Sequence, residues 1–180
     1  MAGFIYEREG FTLVEILIAI TIMGLVVGGA ISIYLMSITA WKEGSVQIAL
    51  QREGSLAMEK MVRGLYGRNG IREAQSVVIP NANTIRYTSG VDGVERSFSL
   101  DVLDIDNDGY TDEIFYNPDS PVINGNEVFI VEKKDSRPNL VVGLTFAVSG
   151  SIVTINLGMQ DKVRGKDINV DLSTSVKLRN

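Results

Sequence analysis

The densest group of residues that could do chemistry is an acidic run at residues 104–113. Carboxylates occupy its first, third, fifth and ninth positions, and a glycine follows the fifth. Oxygens at alternate positions of a tight loop can converge on one cation, and Ca²⁺ takes roughly six to eight oxygen ligands. We therefore predict a structural calcium site. Its expected ligands are the side chains of Asp104, Asp106, Asp108 and Asp112 and the carbonyl of Tyr110.

The type of calcium loop follows from where the run would close. It begins like an EF-hand loop, but the twelfth position is Phe115, so the bidentate glutamate of that motif is missing. A shorter loop closed by the ninth residue fits better and resembles the calcium loops of integrin-type propeller repeats. The alternative is a solvated acidic turn, because Asp, Asn and Gly are common in turns for local reasons. Mutual repulsion of the carboxylates argues against that alternative.

A second acidic group stands alone, inside an apolar run. Glu15 follows five uncharged residues, and after it Ile16–Trp41 contains no charged residue. That length exceeds the roughly twenty residues that a membrane helix needs. A carboxylate in hydrocarbon costs several kcal/mol, so such residues usually have a function and a partner. The alternative is that Glu15 lies at the level of the lipid headgroups.

Composition excludes several classes of function. The chain has no histidine and no cysteine, which excludes Ser–His and Cys–His catalysis and any disulfide. The net charge of −5 and the absence of a run of Lys and Arg argue against nucleic-acid binding. No phosphate-binding or dinucleotide-binding glycine pattern is present either. We therefore expect a protein that is not an enzyme.

The residues around Glu15 carry a resemblance to a known family. Residues 8–15 read REGFTLVE, which resembles the prepilin peptidase signal of type IV pilins and type II secretion pseudopilins. The resemblance implies cleavage after Gly10 and methylation of Phe11, the new N-terminus. It also implies that Glu15 pairs with the N-terminal amine of a neighbouring subunit. The implied partners are prepilin peptidase, other pilin or pseudopilin subunits, the membrane and an inner-membrane assembly platform.

Some features differ from the common pattern of the family and bear on the subtype. The leader has Arg8 between Glu7 and Glu9 and so lacks an excess of basic residues. Many major pilins have a proline in the membrane helix, whereas this chain has Ser32 in that region and no proline. Residues 56–63 and 172–180 are similar to segments of larger minor pilins and J-type minor pseudopilins. We therefore expect a minor subunit.

The pattern of apolar residues predicts the elements that carry these sites. After Trp41 the chain becomes amphipathic at helical spacing, and beyond Ile71 apolar residues alternate with a period of two. We expect an α+β pilin fold, in which a long N-terminal helix packs on an antiparallel β-sheet head. The helix would end near Asn69-Gly70 or divide into two near Gly44. The predicted segments are a leader (1–10), a membrane or filament-core helix (11–41), an amphipathic helical half (42–70) and a head (71–180).

Three functions remain open at this point. The first is a minor pilin or pseudopilin subunit, held in the bacterial inner membrane with a periplasmic or extracellular head and then assembled into a type IV pilus or a type II secretion pseudopilus. The second is a single-span membrane protein with a calcium-dependent binding or adhesion head. The third is a membrane-anchored periplasmic enzyme, which would need a pair of carboxylates in a cleft.

Overall fold

The computed structural model describes residues 10–65, 67–100, 113–120, 126–131 and 140–179. The chain divides into two compact units, Met1–Lys42 and Glu43–Asn180. A helix, α1, spans Leu13–Arg63, and a short 3₁₀ helix spans Ile71–Glu73. The strands in chain order are β1 (Ala74–Asn81), β2 (Thr84–Ser89), β3 (Glu95–Leu100), β4 (Ile114–Asn117), β5 (Val128–Val131), β6 (Leu140–Ser149), β7 (Ile152–Val163) and β8 (Lys166–Lys177).

Helix α1 ends earlier than the sequence predicts. Gly44 lies within α1 and does not end it, so the alternative of two separate helices was wrong. The last helical residue is Arg63, because Gly64 has a φ of +86°, a left-handed conformation that favours glycine. A Cβ at Gly64 would collide with the carbonyl of Arg68. The expected stop at Asn69-Gly70 therefore lies in the connection that follows the helix.

The strands of the head form two antiparallel sheets. The first has the order β1-β2-β3-β4-β5, and the second has the order β6-β7-β8. The period-two pattern is confirmed in β7, where Val153, Ile155, Leu157 and Met159 are all buried. The last strand, β8, pairs with β7 along its whole length.

The C-terminal part of α1, which lies in the second compact unit, packs on these sheets. One hydrophobic core joins Leu50, Ala57 and Met61 of the helix to buried residues of both sheets. Close packing depends on Gly54, since a Cβ there would collide with the side chains of Leu172 and Met159. The predicted α+β, pilin-like fold is confirmed.

Candidate functional site

The expected cleavage bond lies just outside a helix. Gly10, Phe11 and Thr12 precede the first residue of α1 and adopt no regular secondary structure. Phe11 is 79% exposed, so neither neighbouring packing nor helical hydrogen bonds hold the Gly10–Phe11 peptide. A protease could therefore bind this segment in an extended conformation without unfolding the helix.

Thr12 fixes the point at which the helix starts. Its Oγ1 accepts a hydrogen bond from the backbone N–H of Glu15 at 3.2 Å, and its carbonyl accepts one from Ile16 at 3.2 Å. These bonds are typical of a helix N-cap, which satisfies backbone donors that have no partner inside the helix. The start of α1 is thereby set two residues after the cleavage bond.

Glu15 lies in the first turn of α1 and is exposed. The first helical turn is a favourable place for a negative charge because the helix dipole is positive there. Among the described residues its carboxylate has no hydrogen-bond or ion-pair partner. The charge is therefore available to a cation from another molecule.

The apolar block that follows Glu15 is not buried by any of the described residues. The most apolar part of α1 is long enough to cross a membrane, and none of it is buried. Three of its hydroxyl groups are satisfied inside the helix, since Thr21, Ser32 and Thr39 each donate to the carbonyl four residues earlier, at 2.8–3.0 Å. What the block presents to its surroundings is therefore an apolar surface.

Comparison with known proteins matches this same region. The family described as a prokaryotic N-terminal methylation motif matches residues 7–31, which include the Gly10–Phe11 bond and Glu15. The chain therefore carries a prepilin-type N-terminal motif. No curated protein and no solved structure matches it. The comparison thus shows a prepilin-type motif, and the structure shows a pilin-like fold; neither distinguishes a subtype.

The predicted calcium ligands lie outside the described residues. This applies to Asp104, Asp106, Asp108, Tyr110 and Asp112, so the calcium site stays a prediction. Within the described ranges there is no group of three or more acidic residues that could hold a metal ion. The flanks of the run are described. Leu100 at the end of β3 pairs directly with Ile114 at the start of β4, and the adjacent Glu113 is fully buried.

A polar network at the end of α1 was missed by the sequence reasoning. Asn69 has a φ of +64°, and its backbone and side chain contact three partners in the β2–β3 region. Its carbonyl accepts from the Tyr87 hydroxyl at 2.7 Å, its Oδ1 accepts from Ser89 at 3.1 Å, and its Nδ2 donates to Asp92 at 3.2 Å. The network joins the connection after α1 to the first sheet of this pilin-like head.

Tyr87 of this network also belongs to a stack of buried aromatic rings. Tyr87, Phe98 and Tyr116 form a stack, with centroid separations of 5.7 and 4.8 Å. Burial raises the pKa of Tyr87 far above its ordinary value and also raises the pKa of Tyr116. Both phenols are therefore neutral at physiological pH. Isolated Asn and Tyr residues in the sequence gave no signal for this arrangement, because its members come from three separate segments.

Proposed function

We propose that this chain is a structural subunit of an envelope filament, a minor pilin or pseudopilin processed by prepilin peptidase. The observation that carries the proposal is a prepilin-type motif whose Gly10–Phe11 bond lies in an exposed, non-helical stretch directly before an exposed apolar helix. Cleavage after Gly10 would leave Phe11 as the N-terminus for methylation. Assembly through the helix, rather than catalysis, is then the mechanism.

The exposed block supports assembly because an apolar surface of this length needs to be covered by lipid or protein. Contiguous exposed apolar surface of this extent is unfavourable in water and marks a membrane or protein contact. Lipid would cover the block in the precursor, and helices of neighbouring subunits would cover it in the filament. Both environments accept the same surface, since the hydroxyl groups of Thr21, Ser32 and Thr39 are already satisfied within the helix.

Glu15 is the residue proposed to direct assembly. Cleavage creates a positively charged amine at Phe11, close to the start of the helix. In an apolar bundle a carboxylate and an amine each need a charged partner, because leaving one of them unpaired costs several kcal/mol. The amine of one subunit would therefore pair with Glu15 of its neighbour. The pairing both guides the incoming subunit and neutralises the two charges.

The finer assignment to a minor subunit rests on sequence features. Ser32 stands in the region where many major pilins have a proline, and its hydroxyl bonds to the carbonyl of Gly28 within an uninterrupted helix. Residues 56–63 and 172–180 are similar to segments of minor pilins and J-type minor pseudopilins. We assign the chain to this class on that basis, in either a pilus or a type II secretion pseudopilus.

We also propose that residues 104–112 bind Ca²⁺ in a structural role. The support is the spacing of Asp104, Asp106, Asp108 and Asp112. The paired ends at Leu100 and Ile114 make the run a connection between neighbouring antiparallel strands. A cation bound there would close that connection and offset the repulsion among the carboxylates.

Intact-mass analysis of the protein from host envelopes and from sheared surface material tests the main proposal. We expect a mass that begins at methylated Phe11, and its presence in the sheared fraction would indicate a pilus subunit. The same mass confined to the envelope would indicate a pseudopilus subunit. Gly10→Val should block processing, whereas Gly3→Ala in the leader should not. A chain that begins at Met1 despite an active prepilin peptidase would contradict the proposal and favour a single-span anchored protein.

A further inference from the structure

Three basic residues from two separate segments line one cavity of the head. The cavity has a volume of about 470 Å³, and its lining includes Arg72, Lys177 and Arg179 together with Ser151 and Leu178. Two backbone hydrogen bonds hold these segments together, Arg179 N–H to the Arg72 carbonyl at 3.1 Å and Leu178 N–H to the Ser151 carbonyl at 2.8 Å. We call this feature the basic cleft.

The cations of the basic cleft differ from other cations of the head in having no acidic partner. Lys166 pairs with Glu43 at 2.7 Å, and Arg96 pairs with Asp92 at 2.6 Å. Within the described part of the chain, the side chains of Arg72, Lys177 and Arg179 form no ion pair or hydrogen bond. Like charges gathered in one cleft repel one another unless an anion lies between them. The cleft is also a local positive site on a chain whose net charge is −5.

The basic cleft lies at one end of strand β8. Lys166 is the first residue of β8, and it contacts Glu43, the first residue of the second compact unit. Lys177 is the last residue of the same strand, about 36 Å away at the usual rise of an extended strand. The cleft therefore lies at the end of the head opposite Glu43. Because the chain carries a net charge of −5, the acidic surface of another subunit is the complementary partner for these cations.

We propose that the basic cleft binds a carboxylate-bearing surface on the head of the adjacent filament subunit. Arginine suits this role because its guanidinium can donate two parallel hydrogen bonds to one carboxylate, and two of the three cations here are arginines. Each subunit would then contact the next through different surfaces, as a heterologous interface requires, and such contacts generate open filaments. This inference rests on the proposed filament function and adds a contact between heads to the contact between helices.

Cross-linking from a single cysteine identifies the partner, because the natural chain has none. Processed Lys177→Cys protein in the host envelope is labelled with a maleimide–diazirine reagent and irradiated, and the cross-linked peptides are identified by mass spectrometry. We expect an Asp- and Glu-rich segment of a pilin-like subunit. Val91→Cys, which is exposed in the β2–β3 turn, is the control and should not give that product. Products with lipid alone, or the same products from both cysteines, would overturn the proposal.

Charge reversal tests the electrostatic basis of the contact. We expect Lys177→Glu with Arg179→Glu to lower the amount of co-purified partner subunit at least tenfold, with the thermal midpoint and cleavage after Gly10 unchanged. Reversing the cross-linked acidic residues of the partner should restore the contact. Unchanged co-purification in the doubly reversed variant would overturn the inference. Processing at Phe11 is measured in the same samples, so a failure of the proposed filament function is seen separately as an uncleaved chain.

Discussion

The guanidinium of Arg96 is bound by both carboxylate oxygens of Asp92, at 2.7 and 2.6 Å. Arg96 is only 7% exposed, whereas Asp92 lies at the surface of the β2–β3 turn. Asp92 also accepts a hydrogen bond from Asn69, so one carboxylate connects a buried cation to the segment that follows α1. The end of the helix is thus fixed to the first sheet by charge-assisted hydrogen bonds as well as by apolar packing.

Asp92→Asn should destabilise the head at neutral pH, because the buried guanidinium of Arg96 would lose its counter-charge. The hydrogen bonds from Arg96 hold the pKa of Asp92 well below its ordinary value. The stabilisation is therefore present above the unfolded-state pKa of about 4 and is lost as the pH falls below it. Urea unfolding of the detergent-solubilised protein should show a gap between natural protein and variant that narrows from pH 7 towards pH 2.

The control for this variant is Glu59→Gln, which removes an exposed ion pair with Arg63 at 3.5 Å. Exposed pairs contribute about 0–1 kcal/mol, so this change should have little effect at any pH. A pH-independent gap for Asp92→Asn would contradict the linkage argument.

Tyr87→Phe should cost about 1–2 kcal/mol of stability, because the carbonyl of Asn69 would lose the 2.7 Å hydrogen bond from a buried hydroxyl. Since burial raises the pKa of Tyr87, the folded state favours the neutral phenol. Its contribution is complete below the unfolded-state pKa of about 10 and declines as the pH rises above it. Absorbance at alkaline pH should show a tyrosine that ionises only on unfolding, and the variant should lack that component. Ionisation of every tyrosine near pH 10 in the folded protein would contradict this prediction.

Two glycines of α1 should respond in opposite directions to the same substitution. Gly54→Ala places a methyl group against Leu172 and Met159, and overpacking of this kind costs about 1–3 kcal/mol. Gly44→Ala meets no atom within 4 Å, so helix propensity alone should stabilise it by up to about 1 kcal/mol. Thermal melts followed by circular dichroism compare the two variants. Equal shifts in one direction would mean that α1 does not pack on β7 and β8 as described.

The fold could be predicted in most respects because its main elements have strong local signals. The alternation along β7 and the uncharged run after Glu15 each indicate one kind of element. The end of α1 was misplaced because two glycine-containing stops lie close together, and only the left-handed conformation at Gly64 shows which one ends the helix. The amino-acid sequence alone does not show which of two nearby glycines adopts a left-handed φ and ends the helix.

The candidate sites also differ in whether they could be predicted from the sequence. Gly10, Phe11 and Glu15 are close in sequence, so a linear motif was enough to find them. The Asn69 network and the basic cleft depend on contacts between segments far apart in the chain. Most of the sequence of the head lies between Arg72 and Lys177, and no run of basic residues indicated that they would line one cavity.

Calcium should raise the thermal midpoint of the natural protein if residues 104–112 bind it, because a ligand that binds only the folded state stabilises that state. Asp106→Ala with Asp108→Ala should abolish the rise and lower the midpoint in calcium by several degrees. Asp171→Ala removes an exposed carboxylate from β8 and serves as the control. An unchanged midpoint in the double variant would remove the claim of a calcium site.

Glu15→Gln should be cleaved normally and fail to assemble, because the amide cannot neutralise the N-terminal amine of a neighbour. Thr12→Ala is the matched control, since it removes the cap on the Glu15 N–H at a cost of about 1 kcal/mol but keeps the carboxylate. Intact mass measures cleavage, and the yield of subunit in sheared or envelope filaments measures assembly. Filament yield at the natural level in Glu15→Gln would contradict the proposed pairing.

The hydroxyl groups of Thr21 and Ser32 donate hydrogen bonds to carbonyls of their own helix, so these bonds do not depend on what surrounds the helix. Moving α1 out of lipid and into a bundle of similar helices would exchange one apolar neighbour for another without breaking these bonds. The free-energy difference between the two locations would then be small apart from the charge of Glu15. A filament built from such helices could release its subunits into the membrane as readily as it takes them up from it. Such a filament could shorten without unfolding or degrading its subunits.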